Sequence, residues 1–555
     1  MNSRVAACRA HAVLVCVAIL GLVAGTSCFA TEEPPTVVYY VDFAAGADTN
    51  DGLTRENAWK HLPGTRQDRT FLSTYVTTTF GKGAVVAGSK RIPPGAVLRL
   101  KGGTVQDARV GGSVLVNPDW YQGGTPEKPI IIERDATWGE GPVVFDGAKV
   151  ALGKWDVQFE ITRVDNVWLR GNGKAGITLK DSPRGALALW GSDERKCKGL
   201  KVSDVLISGF HDAGFGAARL DGYEITGVEL DGKSIAGNYG FHFGEWSCNN
   251  GLFRRCISHN LGDEPGAQSG GTDIQIGFVL LNSRNVTYQD CTAYDNEGDG
   301  FDMGLERATE DNCTDNIRYI NCLSYNNADG FGMNAAEDLK HCMRVYCINC
   351  ISYNNNFGGF HAYGGTAEYI YTHVLSQGNR DANFNLGPDG WDDKTATTVR
   401  IYNSVGYKPD PKPYHKASIL THYIKGMHFR LDSDYNYWGF GDLTKDRNFC
   451  LWDGYAGKAP YVTSYSYADG PGSTTTNWYK LDEDGHLNCD GHSLNMALGP
   501  LPAFADEPAH DYHLTPASAL RGKGVDLRSK PWYLPEMGVD RDGKKREAWS
   551  IGPYE

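Results

Sequence analysis

The stretch VTYQDCTAYDNEGDGFDMG (Val286 to Gly304) decides the fold, because it returns three times further along the chain. The later copies are IRYINCLSYNNADGFGMN (Ile317 to Asn334), YCINCISYNNNFGGFHAYG (Tyr346 to Gly364) and, more loosely, YIYTHVLSQGNRDANFNLG (Tyr369 to Gly387). Cys291, Cys322 and Cys350 recur within the copies at steps of 31 and 28 residues. A period of this length is typical of a solenoid, in which one structural unit stacks on the next.

Each copy contains three short strands with alternating apolar and polar residues, separated by corners of Asn, Asp or Gly. This pattern predicts an all-β chain folded as a right-handed parallel β-helix, a single-stranded solenoid whose coils stack about 4.8 Å apart. Equivalent corner residues should form a polar ladder up the axis, made of Asp290, Asn321, Asn349 and Asn403. The residues just after that corner should form an inward stack, made of Cys256, Cys291, Cys322 and Cys350.

The two ends of the chain suggest its organisation. Residues 1–30 read as a secretory signal, with Arg4 and Arg9 before an apolar run and small residues up to Ala30. We therefore expect a secreted or periplasmic protein, with no lipid anchor at Cys28 and no transmembrane segment. Residues 31–555 are predicted to form one β-helix domain and a monomer, with a capping region at about 36–100 and a loop-rich C-terminal region at about 440–555.

The composition narrows the class of partner. A formal net charge of -13 disfavours nucleic acid. The 68 glycines suit many tight corners, and an aromatic content of 11% suits surfaces that face sugars. A polysaccharide is the expected partner.

One row of one sheet should carry the chemistry. After each Gly-Phe pair, or its equivalent, alternation points the second residue outward. The predicted row consists of His242, Gln275, Asp302, Gly332, His361 and Asn385. Tyr363 is placed to stack on a sugar ring, and Arg307 or Arg344 to bind a substrate carboxylate through two hydrogen bonds. Together these residues predict a polysaccharide groove, with His242, Gln275 and Asn385 among its contacts.

Three carboxylates are predicted to converge on this row. Asp302 is an outward strand residue, Asp299 precedes it at the corner, and Asp273 lies one coil away. Gathered hard oxygen ligands of this kind suit Ca²⁺. The alternative is a solvated acidic corner, since Asp-Gly is ordinary turn chemistry.

The stretch Ser258 to Gly304 resembles the calcium-binding region of the pectate lyases of polysaccharide lyase family 9, which are right-handed β-helices. In that family an Asp on one coil and an Asp-Asp-Gly-aromatic-Asp motif on the next hold the catalytic Ca²⁺. The resemblance gives Asp273 the first role and Asp299 and Asp302 two of the three others, while Gly298 replaces the leading Asp of the motif. The proton-abstracting Lys of the family follows a Gly-Phe pair one coil later, where this chain has Gly332.

These observations predict an enzyme that cleaves a uronate-containing, pectin-like polysaccharide by Ca²⁺-dependent β-elimination. The base that removes the C5 proton is expected to be His361, with Lys340 as the second candidate. A glycoside hydrolase on the same scaffold is an alternative, with Asp302 paired to Asp329 or Glu337. A further alternative is a non-catalytic sugar-binding β-helix.

Overall fold

The computed structural model describes the chain in twenty segments that cover most of the sequence. They are residues 37–65, 91–106, 113–148, 157–192, 194–236, 238–243, 247–263, 275–304, 314–333, 343–363, 366–380, 382–387, 396–407, 417–422, 428–439, 447–453, 461–465, 488–489, 492–495 and 502–555. The predicted signal, residues 1–30, lies outside these segments. Within the part of the chain that the structure describes, no helix is both long and apolar enough to cross a membrane.

In the described segments three long sheets run along one axis, successive strands of the chain visit them in rotation, and the numbers of strands given below count only these segments. Sheet 1 has 13 strands: Val114–Val116, Val157–Thr162, Gly185–Trp190, Ala213–Ala218, Tyr239–Phe243, Phe278–Leu281, Phe301–Gly304, Phe331–Met333, Gly358–Tyr363, Ala382–Gly387, Ala417–His422, Arg447–Asp453 and Tyr461–Tyr465. Sheet 2 has 14 strands: Val38–Val41, Val97–Lys101, Ile130–Asp135, Val167–Arg170, Cys197–Ser203, Leu220–Thr226, Cys248–Arg254, Arg284–Gln289, Asp315–Ile320, Met343–Ile348, Ala367–Thr372, Ala396–Tyr402, His428–Asp434 and Asn488–Cys489.

Sheet 3 has 13 strands: Val105–Gln106, Val143–Asp146, Ile177–Ser182, Val205–Phe210, Glu229–Ile235, Ile257–Leu261, Thr292–Tyr294, Leu323–Tyr325, Ile351–Tyr353, Leu375–Gln377, Val405–Tyr407, Tyr437–Gly439 and Leu494–Asn495. Neighbouring strands within the three sheets pair in parallel, except that the last strand of sheet 1 is antiparallel to the one before it. A chain that rotates through three parallel sheets is a parallel β-helix, and crossovers between parallel strands are right-handed. The predicted fold class is confirmed.

The corner between sheets 2 and 3 shows why this sequence repeats Asn. Asp290, Asn321 and Asn349 have left-handed φ angles of 55°, 56° and 55°, which Asn and Asp tolerate better than most residues. Their side chains form the predicted ladder, with Asn321 Nδ2 donating to Asp290 Oδ1 at 3.1 Å and Asn349 Nδ2 donating to Asn321 Oδ1 at 3.2 Å. His373, which the repeat did not predict, is the next rung with φ 55°, and Asn403 Nδ2 lies 3.0 Å from its Nε2.

Columns of stacked side chains of the same type fill part of the interior. The predicted cysteine stack is confirmed, because Cys256, Cys291, Cys322 and Cys350 are all 0% exposed. On the inner face of sheet 1, phenylalanine rings stack with centroid separations of 4.6 to 5.4 Å from Phe241 to Phe384. Each buried ring of this kind contributes roughly 1.5 to 3 kcal/mol, so repetition of one favourable contact stabilises the whole column.

The last described segment, residues 502–555, returns along the outside of the helix. It contains one antiparallel pair, Phe504–Asp506 with Asp511–Leu514, and two short 3-10 helices, Glu507–Ala509 and Pro535–Gly538. Arg541 donates to the carbonyl oxygens of Cys322 and Asn349 at 3.3 and 2.9 Å, and Arg546 donates to Asn349 Oδ1 at 2.9 Å. These contacts fall on the corner between sheets 2 and 3.

Candidate functional site

The row of outward residues on sheet 1 follows from strand pairing. His242, Val279, Asp302 and Gly332 are successive partners in register. Phe331 pairs with Phe360, which places His361 one coil beyond Gly332. His361 in turn pairs with Asn385. Five of the six predicted residues therefore lie on this row.

Gln275 is the exception, and its predicted place in the row was wrong. The strand of that coil is Phe278–Leu281, so Val279 stands between His242 and Asp302. Gln275 lies at the preceding corner with φ 69°, and its carbonyl accepts a hydrogen bond from Gly298 N at 3.2 Å. The alternating triplet around Gln275 looks like a strand, but the Gly-Phe pair that aligns with the other coils comes just after it.

Two carboxylates meet above Gly332. A Cβ atom added to Gly332 would lie 2.3 Å from Asp299 Oδ2 and 3.5 Å from Asp302 Oδ1. Both oxygens therefore lie over Gly332, and Asp299 Oδ2 occupies the space that a side chain at that position would need. Asp302 is 8% exposed, so its carboxylate is partly screened from water.

Asp329 joins this pair to His361 on the next coils. Asp329 N donates to Asp299 Oδ1 at 3.1 Å, and Asp329 Oδ1 accepts from the backbone of Gly358. The second oxygen, Asp329 Oδ2, lies 3.1 Å from His361 Nδ1. Asp329 and His361 are each only 5% exposed, so the imidazole is held in one orientation by a buried carboxylate.

A buried ladder of asparagines holds this corner in place. Asn296 Nδ2 donates to Asn327 Oδ1 at 2.9 Å, Asn327 N donates to Asn355 Oδ1 at 3.0 Å, and Asn355 Nδ2 donates to Asn379 Oδ1 at 2.9 Å. Asn296 comes three residues before Asp299, and Asn327 two residues before Asp329. Sequence reasoning missed this ladder, although the recurring Asn in each copy of the repeat is its signal.

Other predicted contacts are spread more widely. His242 lies two strands before Asp302, with its ring 5.3 Å from that of Tyr239. Asn385 is 3% exposed beside His361. Arg344 is on sheet 2, where its Nη2 lies 3.0 Å from Asp315 Oδ2 and its Nε 3.1 Å from Asp315 Oδ1. The structure therefore does not bring Arg344 into the row on sheet 1.

Several predicted residues lie outside the described segments, namely Asp273, Arg307, Glu337 and Lys340. Tyr363 ends a described strand, but its side chain lies outside the description. Among the described residues, no three His, Cys, Asp or Glu side chains gather closely enough to bind a metal ion. Asp299 and Asp302 provide two hard oxygen donors of the kind that Ca²⁺ binds, fewer than the six to eight ligands that the ion takes.

Comparisons with known proteins agree with the architecture. Residues 185–375 match a family model described as right handed beta helix region. A search of curated proteins finds no match. Among solved structures, this chain is similar to pectate lyase Pel9A at 14% identity, covering 93% of this chain and 96% of that one with a TM-score of 0.43. It is also similar to a rhamnogalacturonan lyase at 14% identity, covering 72% of this chain and 87% of that one with a TM-score of 0.37.

A third similar structure is the A-module of the Azotobacter vinelandii mannuronan C-5 epimerase AlgE4. It has 14% identity, covers 58% of this chain and 85% of that one, and gives a TM-score of 0.39. At these identities and TM-scores the likenesses assign no chemistry to this chain.

Proposed function

We propose that this protein is an exported carbohydrate-active enzyme, a Ca²⁺-dependent lyase that cleaves a uronate-containing polysaccharide by β-elimination. The observation that carries the proposal is that Asp302, with Asp299 beside it at the corner, lies on the same row as a buried imidazole two coils away, that of His361, which Asp329 holds. Elimination next to a uronate needs these two elements, a cation site for the sugar carboxylate and a base for the C5 proton.

Asp299 and Asp302 would hold the ion, together with Asp273 from the neighbouring coil. Bound Ca²⁺ supplies positive charge that neutralises the substrate carboxylate and acidifies the adjacent C–H. The absence of a side chain at Gly332 is the feature of this chain that lets both carboxylates approach the same point. Arg307 is the further candidate for binding a substrate carboxylate.

The base is assigned to His361. Because Nδ1 faces Asp329 Oδ2 at 3.1 Å, a proton on Nδ1 is stabilised there and Nε2 is the basic nitrogen. In the proposed step His361 Nε2 takes the C5 proton, the C4–C5 double bond forms, and the C4–O bond breaks while a water molecule protonates the departing glycosidic oxygen. The Asp329 carboxylate then stabilises the imidazolium that results.

Gly332 explains why the base is not the lysine of the family that the sequence resembles. At that position any Cβ atom would fall 2.3 Å from Asp299 Oδ2, which is shorter than a non-bonded contact allows. A side chain at this position would require the Asp299 carboxylate to move, and this chain carries its candidate base, His361, on the next coil. Lys340 is the alternative base.

The glycoside hydrolase alternative has less support from the contacts. Of the two carboxyls that this alternative pairs with Asp302, Asp329 has one oxygen accepting from the backbone of Gly358 and the other facing His361, whereas Glu337 lies outside the described residues. An acid that protonates a leaving group needs an oxygen turned to the substrate.

The test is a panel of acidic polysaccharides, assayed for the ultraviolet absorbance of an unsaturated uronate with and without a chelator. We expect absorbance to rise on a uronate polymer and to stop with chelator. Asp302→Asn should lower Ca²⁺ affinity measured by calorimetry, whereas Asp290→Asn, which changes a corner residue whose upper neighbour is already Asn, should not. New reducing ends without the absorbance would identify a hydrolase, and no cleavage of any polymer would indicate a binding protein.

A further inference from the structure

The outer face of sheet 2 near the N-terminal end carries a second group of polar and aromatic residues, away from the row on sheet 1. In register, Tyr40 pairs with Arg99, Arg99 with Glu133, and Glu133 with Arg170. Trp168 pairs with Lys201 on the next strand. We call the following six residues the cationic-aromatic face: Arg99, Lys101, Arg170, Lys201, Trp138 and Trp168.

Cations lie over both tryptophans of this face. The Arg170 guanidinium carbon is 4.4 Å from the centre of the Trp168 ring, and Lys201 Nζ is 5.0 Å from it. Lys101 Nζ lies 5.6 Å from the centre of the Trp138 ring. Contacts of this kind hold flexible cationic side chains in defined positions on the surface.

Three of these cations are ion-paired, and in each pair the cation is the more exposed member. Lys101 has 31% of its side chain exposed and its partner Asp42 has 5%, while Arg99 has 37% and Glu133 has 16%. Lys201 has 43% exposed and its partner Glu224, at 2.9 Å, has 35%. N–H donors therefore reach solvent on this face beside one half-exposed carboxylate, on a chain whose formal net charge is -13.

We propose that the cationic-aromatic face is a second binding site for an acidic polysaccharide, a polymer of uronic acids, which anchors the polymer away from the site of cleavage. Arg99 and Arg170 lie on one row of this face, two strands and therefore about 10 Å apart, and Lys201 lies on the neighbouring row of Trp168, so a linear chain of carboxylates can contact several of these cations at once. The tryptophan rings offer apolar edges to the sugar rings. The choice of a uronate polymer rests on the proposed function.

The test is affinity electrophoresis of the full-length protein in gels that contain polygalacturonate, with a chelator present so that Ca²⁺-dependent binding on sheet 1 does not contribute. The variant is Arg170→Gln with Lys201→Gln. The matched control is Lys233→Gln with Arg528→Gln, which removes the same two charges from exposed, ion-paired positions elsewhere. We expect the variant to bind about tenfold more weakly and the control to differ less than twofold from the wild type.

Binding should also weaken with added salt, because the contacts are charged and exposed. Equal losses in the variant and the control would overturn the proposal, as would equal retention of a neutral galactan or of a DNA duplex on the same face. If the wild type cleaves polygalacturonate but the double variant is retained as strongly as the wild type, the second binding site is overturned and the proposed function stands. Retention that depends on the face, without cleavage of any polymer, would instead overturn the proposed function and leave this site standing.

Discussion

The first prediction concerns His361, the proposed base, which Asp329 holds in one orientation. His361→Ala should lower the rate of elimination about 10²-fold or more, because a positioned base typically contributes at least that factor. Ca²⁺ affinity should be retained, since the carboxylates of Asp299 and Asp302 are untouched. The measurements are single-turnover kinetics and calorimetry.

The matched control is His259→Ala on sheet 3. His259 is 8% exposed, its ring stacks on that of Tyr294 at 4.7 Å, and its Nε2 lies 3.4 Å from Glu229 Oε1. It therefore resembles His361 in burial and in its acidic neighbour but lies off the row, and its removal should leave the rate unchanged. A fully active His361→Ala enzyme would pass the role of base to Lys340.

The second prediction concerns neighbouring strands, because Asp302 and Gly332 are register partners on successive coils. Gly332→Ala should weaken Ca²⁺ binding, because the added Cβ would displace the Asp299 carboxylate from a position 2.3 Å away. Gly332→Lys, which restores the residue of the pectate lyases, should do the same and should not raise activity. Calorimetry on both variants checks this.

A suitable control for Gly332 is Gly216→Ala, earlier on the same face, where a Cβ would find its nearest neighbour 3.5 Å away on the Trp190 ring. That change should leave Ca²⁺ affinity as it is. An active, calcium-binding Gly332→Lys enzyme would show that the carboxylates do not meet over this residue.

The inward stack gives a third prediction. Cys291, Cys322 and Cys350 should resist thiol reagents in the native protein, because all three are fully buried and burial raises the pKa of the Cys291 thiol, so that little reactive thiolate forms. Lys198→Cys, at a side chain 65% exposed on sheet 2, should label at once and serves as the positive control. Rapid labelling of the three native thiols would contradict the assignment of the stack.

The period of the repeat was enough to predict the fold, the corner ladder and the cysteine stack, because identical positions meet when coils stack. The period did not place Gln275 correctly, because the residues around it alternate like those of a strand although the strand of that coil begins at Phe278. The sequence did not predict His373 as a member of the ladder, because its residue type differs from the Asn and Asp at the other positions. The pairing of Asp329 with His361 joins a corner to a strand, a contact that no spacing in the sequence expresses.

The fourth prediction concerns the stability of the whole molecule, which should depend on pH through His513 in the C-terminal segment. Burial alone would lower the pKa of His513, but hydrogen bonds to Asp511 and Asp542 outweigh it and raise the pKa. His513 therefore contributes stability that is fully present below its unfolded pKa of about 6.5 and is lost as pH rises through its folded pKa. The contribution should be below about 1 kcal/mol, since the side chain is 44% exposed.

Chemical denaturation of the wild type and of His513→Gln checks this. The difference in unfolding free energy should be larger in mildly acidic solution than in alkaline solution. His492→Gln, at a more exposed histidine beside Asp434, is the comparison. A difference for His513→Gln that does not change with pH would contradict the assignment.

The return of the C-terminal segment also dictates an order of events when the chain folds. Ladder contacts join residues about one coil apart, such as Asn321 and Asp290 at a separation of 31, so coils can add one after another as the polypeptide lengthens. Arg541 and Arg546 reach back across 219 and 197 residues, to Cys322 and Asn349. Closing so long a loop has a higher entropy cost, and it must wait until the last residues have been synthesised. A growing chain therefore carries its middle coils with the corner between sheets 2 and 3 not yet covered, and residues 502–555 cover it only after those coils have stacked.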